Sequence, residues 1–159
     1  NIEKCNNIKL FSELILERDE VYSFIDSFRN TCDKINVRLA LIIPNQLENI
    51  VIDKLFAFLK NCVIIRNITF KISTLIDTLE PLITKLCDLD YLESVRIYGN
   101  HNTNIECILH LLENNFQITE FLDNNHTSDQ RIVQLINNNI EYKRHMLYKR
   151  TKAICDSLV

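Results

Sequence analysis

The chain has 159 residues, of which 47% are hydrophobic and 25% charged, and its formal net charge is −3. This balance predicts a folded domain with its own apolar core, and it excludes an overall basic field that would hold the protein on nucleic acid or on an anionic membrane. No apolar run approaches the roughly 20 residues needed to cross a bilayer.

A nine-residue pattern recurs along the chain and predicts its strands. Places one, four and six of each copy are apolar, and place nine is a short polar residue. The four clear copies are FSELILERD from Phe11, VRLALIIPN from Val37, IRNITFKIS from Ile65 and LESVRIYGN from Leu92. A weaker fifth copy, ITEFLDNNH, begins at Ile118 and has Asp123 on an apolar place.

A helical pattern follows each copy. Apolar residues spaced by three, four or seven mark one buried face of a helix. They are Phe24, Ile25 and Phe28; Ile52, Leu55 and Leu59; Leu79, Leu82 and Leu86; Ile105, Leu109 and Leu112; and Ile132, Leu135 and Ile136. Pro81 suits the first turn of the third helix, where its missing N–H is not needed. Each unit is therefore predicted to be a short strand, a polar turn and a returning helix.

The strand pattern resembles the leucine-rich repeat, L-x-x-L-x-L-x-x-N, and the unit length of about 27 residues resembles the ribonuclease-inhibitor and tropomodulin type. The resemblance covers residues 11 to about 140, in repeats starting near 11, 37, 65, 92 and 118, with residues 141–159 predicted as a C-terminal capping helix. It implies a single α/β domain, a right-handed solenoid of about five repeats with concave parallel strands and convex helices. The asparagine of place nine is kept only at Asn45 and Asn100. The alternative is an ordinary helical or α/β domain with chance periodicity.

The resemblance implies that a partner binds the concave face, onto which places two, three, five, seven and eight project. The contact residues predicted there are Leu39, Leu41, Ile43, Lys71, Arg96 and Tyr98. The first three would form an exposed apolar cluster on one strand, and Arg and Tyr are favoured binding anchors. Because VRLALII is apolar on both alternations, a register shifted by one residue would instead bury Leu39, Leu41 and Ile43.

The segment 141–159 combines a helical apolar stripe with five basic residues. It either caps the last repeat or contacts RNA, a membrane surface or an acidic partner. The predicted function is a module that binds another protein. The alternative is an RNA-binding module that uses this segment together with four basic residues of the predicted sheet, Arg38, Arg66, Lys71 and Arg96.

Catalytic and metal-binding motifs are sparse. The single glycine excludes the common glycine-rich phosphate loops. Cys107 and His110 lie three apart on a predicted helix, but no second pair completes a zinc site, and His101 has no nucleophile or carboxylate at a recognisable spacing. We therefore predict no enzymatic activity, no cofactor and no metal.

Six cysteines occur, several of them among apolar neighbours. We expect these cysteines to be reduced, buried thiols and the protein to be intracellular, in the cytoplasm. Two glycosylation sequons, at Asn67 and Asn125, keep an extracellular location open. The first residue is not Met, which is consistent with a piece of a longer protein.

Overall fold

The computed structural model describes residues 10–28, 37–44, 46–73 and 78–158. Five strands alternate with five helices along these residues. The strands are β1 (Leu10–Ile15), β2 (Val37–Ile43), β3 (Asn67–Ile72), β4 (Ser94–Tyr98) and β5 (Glu120–Asp123). The helices are α1 (Arg18–Phe28), α2 (Asn49–Leu59), α3 (Glu80–Leu86), α4 (Ile105–Asn114) and α5 (Gln130–Ser157). The predicted strand–helix alternation is confirmed in every unit, and Pro81 lies in the first turn of α3.

The five strands form one parallel sheet, and their order in the sheet is their order in the chain. Each helix contacts the helix before it and the helix after it. Parallel neighbours need a connection that crosses back along the sheet, and here the helix of each unit supplies it. The protein is therefore α/β, with one continuous core between the sheet and the row of helices.

The centre of the sheet has the register that the pattern predicts. Ile68 pairs with Val95 and Phe70 pairs with Ile97, and all four side chains are buried. Their strand neighbours project to the opposite face because side chains alternate along a strand. A clean alternation of apolar and polar residues in β3 and β4 fixes which face packs on the helices.

Strand β2 corrects the prediction for three of the proposed contact residues. Leu39, Leu41 and Ile43 are 1%, 0% and 0% exposed, so the expectation that they form an exposed cluster is wrong. They stand opposite Ile68, Phe70 and Ile72 in the adjacent strand and join the core. The register one residue away from the predicted one is therefore the actual register. Since both alternations of this strand are apolar, only pairing with β3 distinguishes them.

Strand β1 is shifted by two residues from its predicted place. Leu14 pairs with Leu41 and therefore stands at place six rather than place four. A shift of two leaves side chains on the same face, so Leu14 and Leu16 are still in the core, as predicted.

The predicted capping helix over 141–159 is not a separate element, because residues 141–157 continue α5. The first half of α5 covers the last unit, where Ile132 and Asn139 are buried. Every side chain from Arg144 to Leu158 is exposed. The prediction that this segment caps the core is therefore wrong for these residues. Within the described residues, no helix has both the length and the apolarity to cross a membrane.

Side chains from one unit cap backbone carbonyls of the unit before it. The Nδ2 of Asn115 donates to the Leu89 carbonyl at 2.9 Å, and the Nδ2 of Asn139 donates to the Leu112 carbonyl at 3.2 Å. The hydroxyl of Tyr91 donates to the Leu59 carbonyl. Buried carbonyls that no strand or helix satisfies are costly, so these bonds stabilise the stacking of successive units.

Candidate functional site

The face of the sheet turned away from the helices is the first candidate site, and we call it the open face. Its side chains come from all five strands and alternate with the buried ones. They are Glu13, Ile15, Arg38, Ala40, Ile42, Asn67, Thr69, Lys71, Ser94, Arg96, Tyr98, Glu120 and Leu122. No described helix packs on this face, since the helices cover the other one.

Three predicted contact residues, Lys71, Arg96 and Tyr98, lie on the open face. Lys71 forms an ion pair with Glu13 two strands away, which spans the intervening strand where Ala40 is 0% exposed. The Nε of Arg96 donates to Glu120 at 2.9 Å, and the pKa of Arg96 is raised by this hydrogen bond and by the nearby negative charge. These basic groups are therefore partly neutralised by carboxylates of the same face.

One row across the open face combines apolar and polar side chains. Ile15, Ile42, Lys71 and Tyr98 stand side by side on four neighbouring strands. Ile15 and Tyr98 are each 37% exposed, and Ile42 is half-buried. With strands about 4.8 Å apart, the row extends over about 14 Å, which is enough to contact several residues of a partner.

The second candidate site is a trio of His101, Asp123 and His126 at the ends of β4 and β5. His101 and Asp123 are buried, and the side chain of His126 is 22% exposed. The Nε2 of His101 lies 3.0 Å from one carboxylate oxygen of Asp123, and the Nδ1 of His126 lies 2.5 Å from the other. The backbone N–H of Asn125 also donates to Asp123 at 3.0 Å. The sequence pattern flagged Asp123 as a polar residue on an apolar place, but it did not indicate that His101 would meet it.

The hydrogen bonds determine where the protons of this trio reside. The backbone N–H of Thr103 donates to the Nδ1 of His101 at 3.3 Å, so that nitrogen carries no proton. The Nε2 of His101 must then carry the proton and donate it to Asp123. Burial alone would raise the pKa of Asp123, but the bonds from His101, His126 and the Asn125 N–H outweigh burial and lower it. Asp123 is therefore an ionised carboxylate that accepts three hydrogen bonds.

The trio has the residue types of a zinc site, and the ligand atoms lie within 4.8 Å of one another. A neutral histidine that binds metal through Nε2 carries its proton on Nδ1 and donates it to an acceptor. At His101 the Nδ1 faces the Thr103 N–H, which is a donor. If a metal were bound to Nε2, the proton on Nδ1 would point at the Thr103 N–H, and neither donor would have an acceptor there. The arrangement fits a hydrogen-bonded network better than a metal centre.

A cavity of about 180 Å³ lies beside the trio, between β5 and the first half of α5. Asp123 and His126 contribute to its wall among apolar side chains such as Phe121, Ile132 and Ile136. A carboxylate that holds an imidazole is how catalytic histidines are oriented, and nucleophilic catalysis of this kind needs a hydroxyl or thiol within reach of the imidazole. Among the described residues, no hydroxyl or thiol is hydrogen-bonded to His126. The hydrogen bonds of the trio join the loop after β4 to β5 and to the turn that follows β5.

The cysteines of the described residues carry no disulfide. Cys62, Cys87, Cys107 and Cys155 are free thiols, and the first three are half-buried. Burial raises the pKa of each of these three, which keeps the thiol protonated and unreactive. Cys5 and Cys32 lie outside the described residues. His110 is exposed and contacts Asn114 one turn further along α4.

No protein-family model, curated protein or solved structure matches the chain.

Proposed function

We propose that this chain is a leucine-rich-repeat-type module that binds another protein through the open face of its sheet. The observation that carries the proposal is the row of Ile15, Ile42, Lys71 and Tyr98, which stands in register on four strands and is covered by none of the described helices. The strands hold these side chains at fixed spacing before binding, so little conformational entropy is lost when a partner docks. Parallel strands in chain order, joined by helices at intervals near 27 residues, support the proposed solenoid.

The chemistry of the row favours a protein surface as the ligand. Protein interfaces join an apolar centre to a rim of hydrogen-bonding and charged groups. Here Ile15, Ile42 and Tyr98 supply apolar area, while Lys71 and Arg96 supply charges already oriented by carboxylates. Leu39, Leu41 and Ile43 no longer belong to the proposed contact set, because they are buried.

RNA is the weaker candidate partner. Lys71, Arg96 and Arg66 are each paired with a carboxylate, namely Glu13, Glu120 and Glu93. A phosphate backbone would have to displace these carboxylates, and the carboxylates that remain would repel it. We therefore rank RNA binding below protein binding, and the intracellular location expected from the cysteines stays a part of the proposal.

The test is affinity capture with two matched double variants. Ile42→Glu with Arg96→Glu changes the open face, and Ile50→Glu with Lys60→Glu makes the same changes in charge at exposed sites around α2. The proposal predicts protein partners that the native chain and the α2 variant retain and the open-face variant loses. Partners that both variants retain would contradict it. Nucleic acid that is released as salt rises from about 50 to 200 mM would support the RNA alternative.

A further inference from the structure

The second half of α5 extends beyond the body of the protein. From Arg144 to Leu158 every side chain is exposed, and at 1.5 Å per residue this segment is about 22 Å long. A helix of this length is marginal in water without tertiary contacts. Its apolar side chains remain uncovered: Leu147 is 57% exposed, Ile154 60% and Leu158 81%. We call Arg144–Leu158 the projecting segment.

Three exposed apolar residues of the projecting segment lie on one narrow line, while Met146 and Tyr148 lie to either side of it. Leu147 and Ile154 are seven residues apart, Leu158 follows four later, and Ile140 precedes Leu147 by seven. Residues spaced by seven and four fall on the same side of a helix, as in the seam of a coiled coil. Arg144 and Arg150, three residues before and after Leu147, flank this line on its two sides.

Charge is strongly segregated between the projecting segment and the rest of the chain. The segment holds four basic residues against one acidic residue, Asp156, so its net charge is +3. Because the whole chain carries −3, the remaining residues carry −6. A partner that covers the seam must therefore accept two flanking arginines, and acidic groups along the edges of its own apolar stripe would do so.

We infer that the projecting segment docks an acidic amphipathic helix of a partner protein, which lays its apolar stripe on Leu147, Ile154 and Leu158 and its carboxylates beside Arg144 and Arg150. A second copy of the segment fits poorly, since two segments of +3 would bring basic flanks together. A bilayer also fits less well. Helices that lie in a membrane surface present a wide and continuous apolar face, whereas Arg144 and Arg150 separate this seam from Tyr148 and Met146.

The test measures binding of fluorescent peptides and vesicles to the 159-residue chain. The first probe is a three-heptad peptide with leucine at the seam and glutamate at the flanks, which does not pair with itself because its flanks repel. The second has the same seam with lysine flanks, and the third is a vesicle of phosphatidylcholine and phosphatidylglycerol. The inference predicts that the glutamate peptide binds, and that it binds at least roughly tenfold more tightly than the lysine peptide.

Two variants of equal charge identify where the peptide binds. Arg144→Ser with Arg150→Ser removes the seam flanks, while Lys149→Ser with Lys152→Ser removes two charges away from the seam. The flank variant should weaken binding of the glutamate peptide roughly tenfold, and the other variant less than about threefold. Ile154→Glu should abolish binding while circular dichroism stays unchanged.

Three results would overturn the inference. Equal losses in the two double variants would indicate attraction by net charge alone. Binding to vesicles without binding to the glutamate peptide would identify a lipid surface as the ligand. Failure of every probe to bind would exclude the seam as a docking site for an acidic helix.

Discussion

The two faces of the sheet differ in what their side chains contact, although the same five strands supply both. On the closed face, Leu41, Phe70 and Ile97 are 0% exposed and pack against the helices. On the open face, Lys71 and Arg96 keep about two fifths of their side chains in water and pair with carboxylates. The closed face stabilises the protein, and the open face is the one through which we propose that the protein binds a partner. Substitutions on the two faces should therefore change different measured quantities.

The largest effect is expected on the closed face of β2. Leu41→Ala should lower the free energy of unfolding by about 2–5 kcal/mol, because it removes buried methyl groups and leaves a cavity. The measurement is urea denaturation followed by circular dichroism. The control is Ile42→Ala, which changes the next residue along the strand. Ile42 is half-buried on the open face, so this substitution should lower the free energy of unfolding by only about 1 kcal/mol. If Ile42→Ala cost more than Leu41→Ala, the faces of this strand would be reversed.

Asp123 brings a charge into the closed face, and its removal should have the next largest effect. Asp123→Ala should cost about 2–4 kcal/mol, because the N–H groups of His101 and Asn125 would be left without an acceptor. Asp123→Asn should cost less, since one amide oxygen still accepts from His101 and the amide can donate to His126. The comparison by chemical denaturation separates loss of an acceptor from loss of volume. Equal costs for the two variants would indicate that the hydrogen bonds contribute little.

The lowered pKa of Asp123 also predicts a pH dependence. The group is more acidic in the folded state than its ordinary value of 3.8, so its contribution to stability is present above that pH. The contribution is lost as the pH falls from about 3.8 through the lower folded value. Native protein should lose more stability over this interval than Asp123→Asn, as measured by urea midpoints in steps of pH.

Zinc added at neutral pH should leave the melting temperature of the native chain unchanged, and a rise in that temperature would support the interpretation of the trio as a metal site.

Gly99 directly follows β4, in the turn that ends the strand. Its φ of +114° is one that other residues rarely adopt, and a Cβ there would lie 2.3 Å from the Ile72 carbonyl oxygen. Gly99→Ala should therefore cost about 2 kcal/mol through strain and contact with the neighbouring backbone. Asn100→Ala, at the exposed next residue, should cost less than about 0.5 kcal/mol. Thermal unfolding of both variants checks the difference.

How much of this organisation could be predicted differs between strands. In β3 and β4, polar and apolar residues alternate, so the pattern alone assigned Ile68, Phe70, Val95 and Ile97 to the core. In β2 both alternations are apolar, and the actual register depends on pairing with β3, which no local pattern contains.

The polar contacts and the C-terminal segment were harder to predict. His101 and Asp123 are separated by 22 residues and meet only because β4 and β5 are neighbours. Asp123 on an apolar place was the one available signal, since a buried carboxylate requires partners. The basic, partly apolar composition of 141–159 was compatible with a cap or with a free helix, and composition alone does not distinguish them.

The smallest expected effect is on the open face, at the ion pair of Arg96 with Glu120. These side chains are 37% and 52% exposed, so solvent and salt screen their attraction. A double-mutant cycle of Arg96→Ala and Glu120→Ala should give a coupling energy below about 1 kcal/mol that declines further at high salt. The coupling is measured by urea denaturation at low and at high ionic strength. A value above about 2 kcal/mol would mean that the open face also stabilises the fold, and the separation of roles between the two faces would fail. A small value leaves Arg96 with no large structural role, so a loss of partner capture in an Arg96 variant would then report on recognition itself.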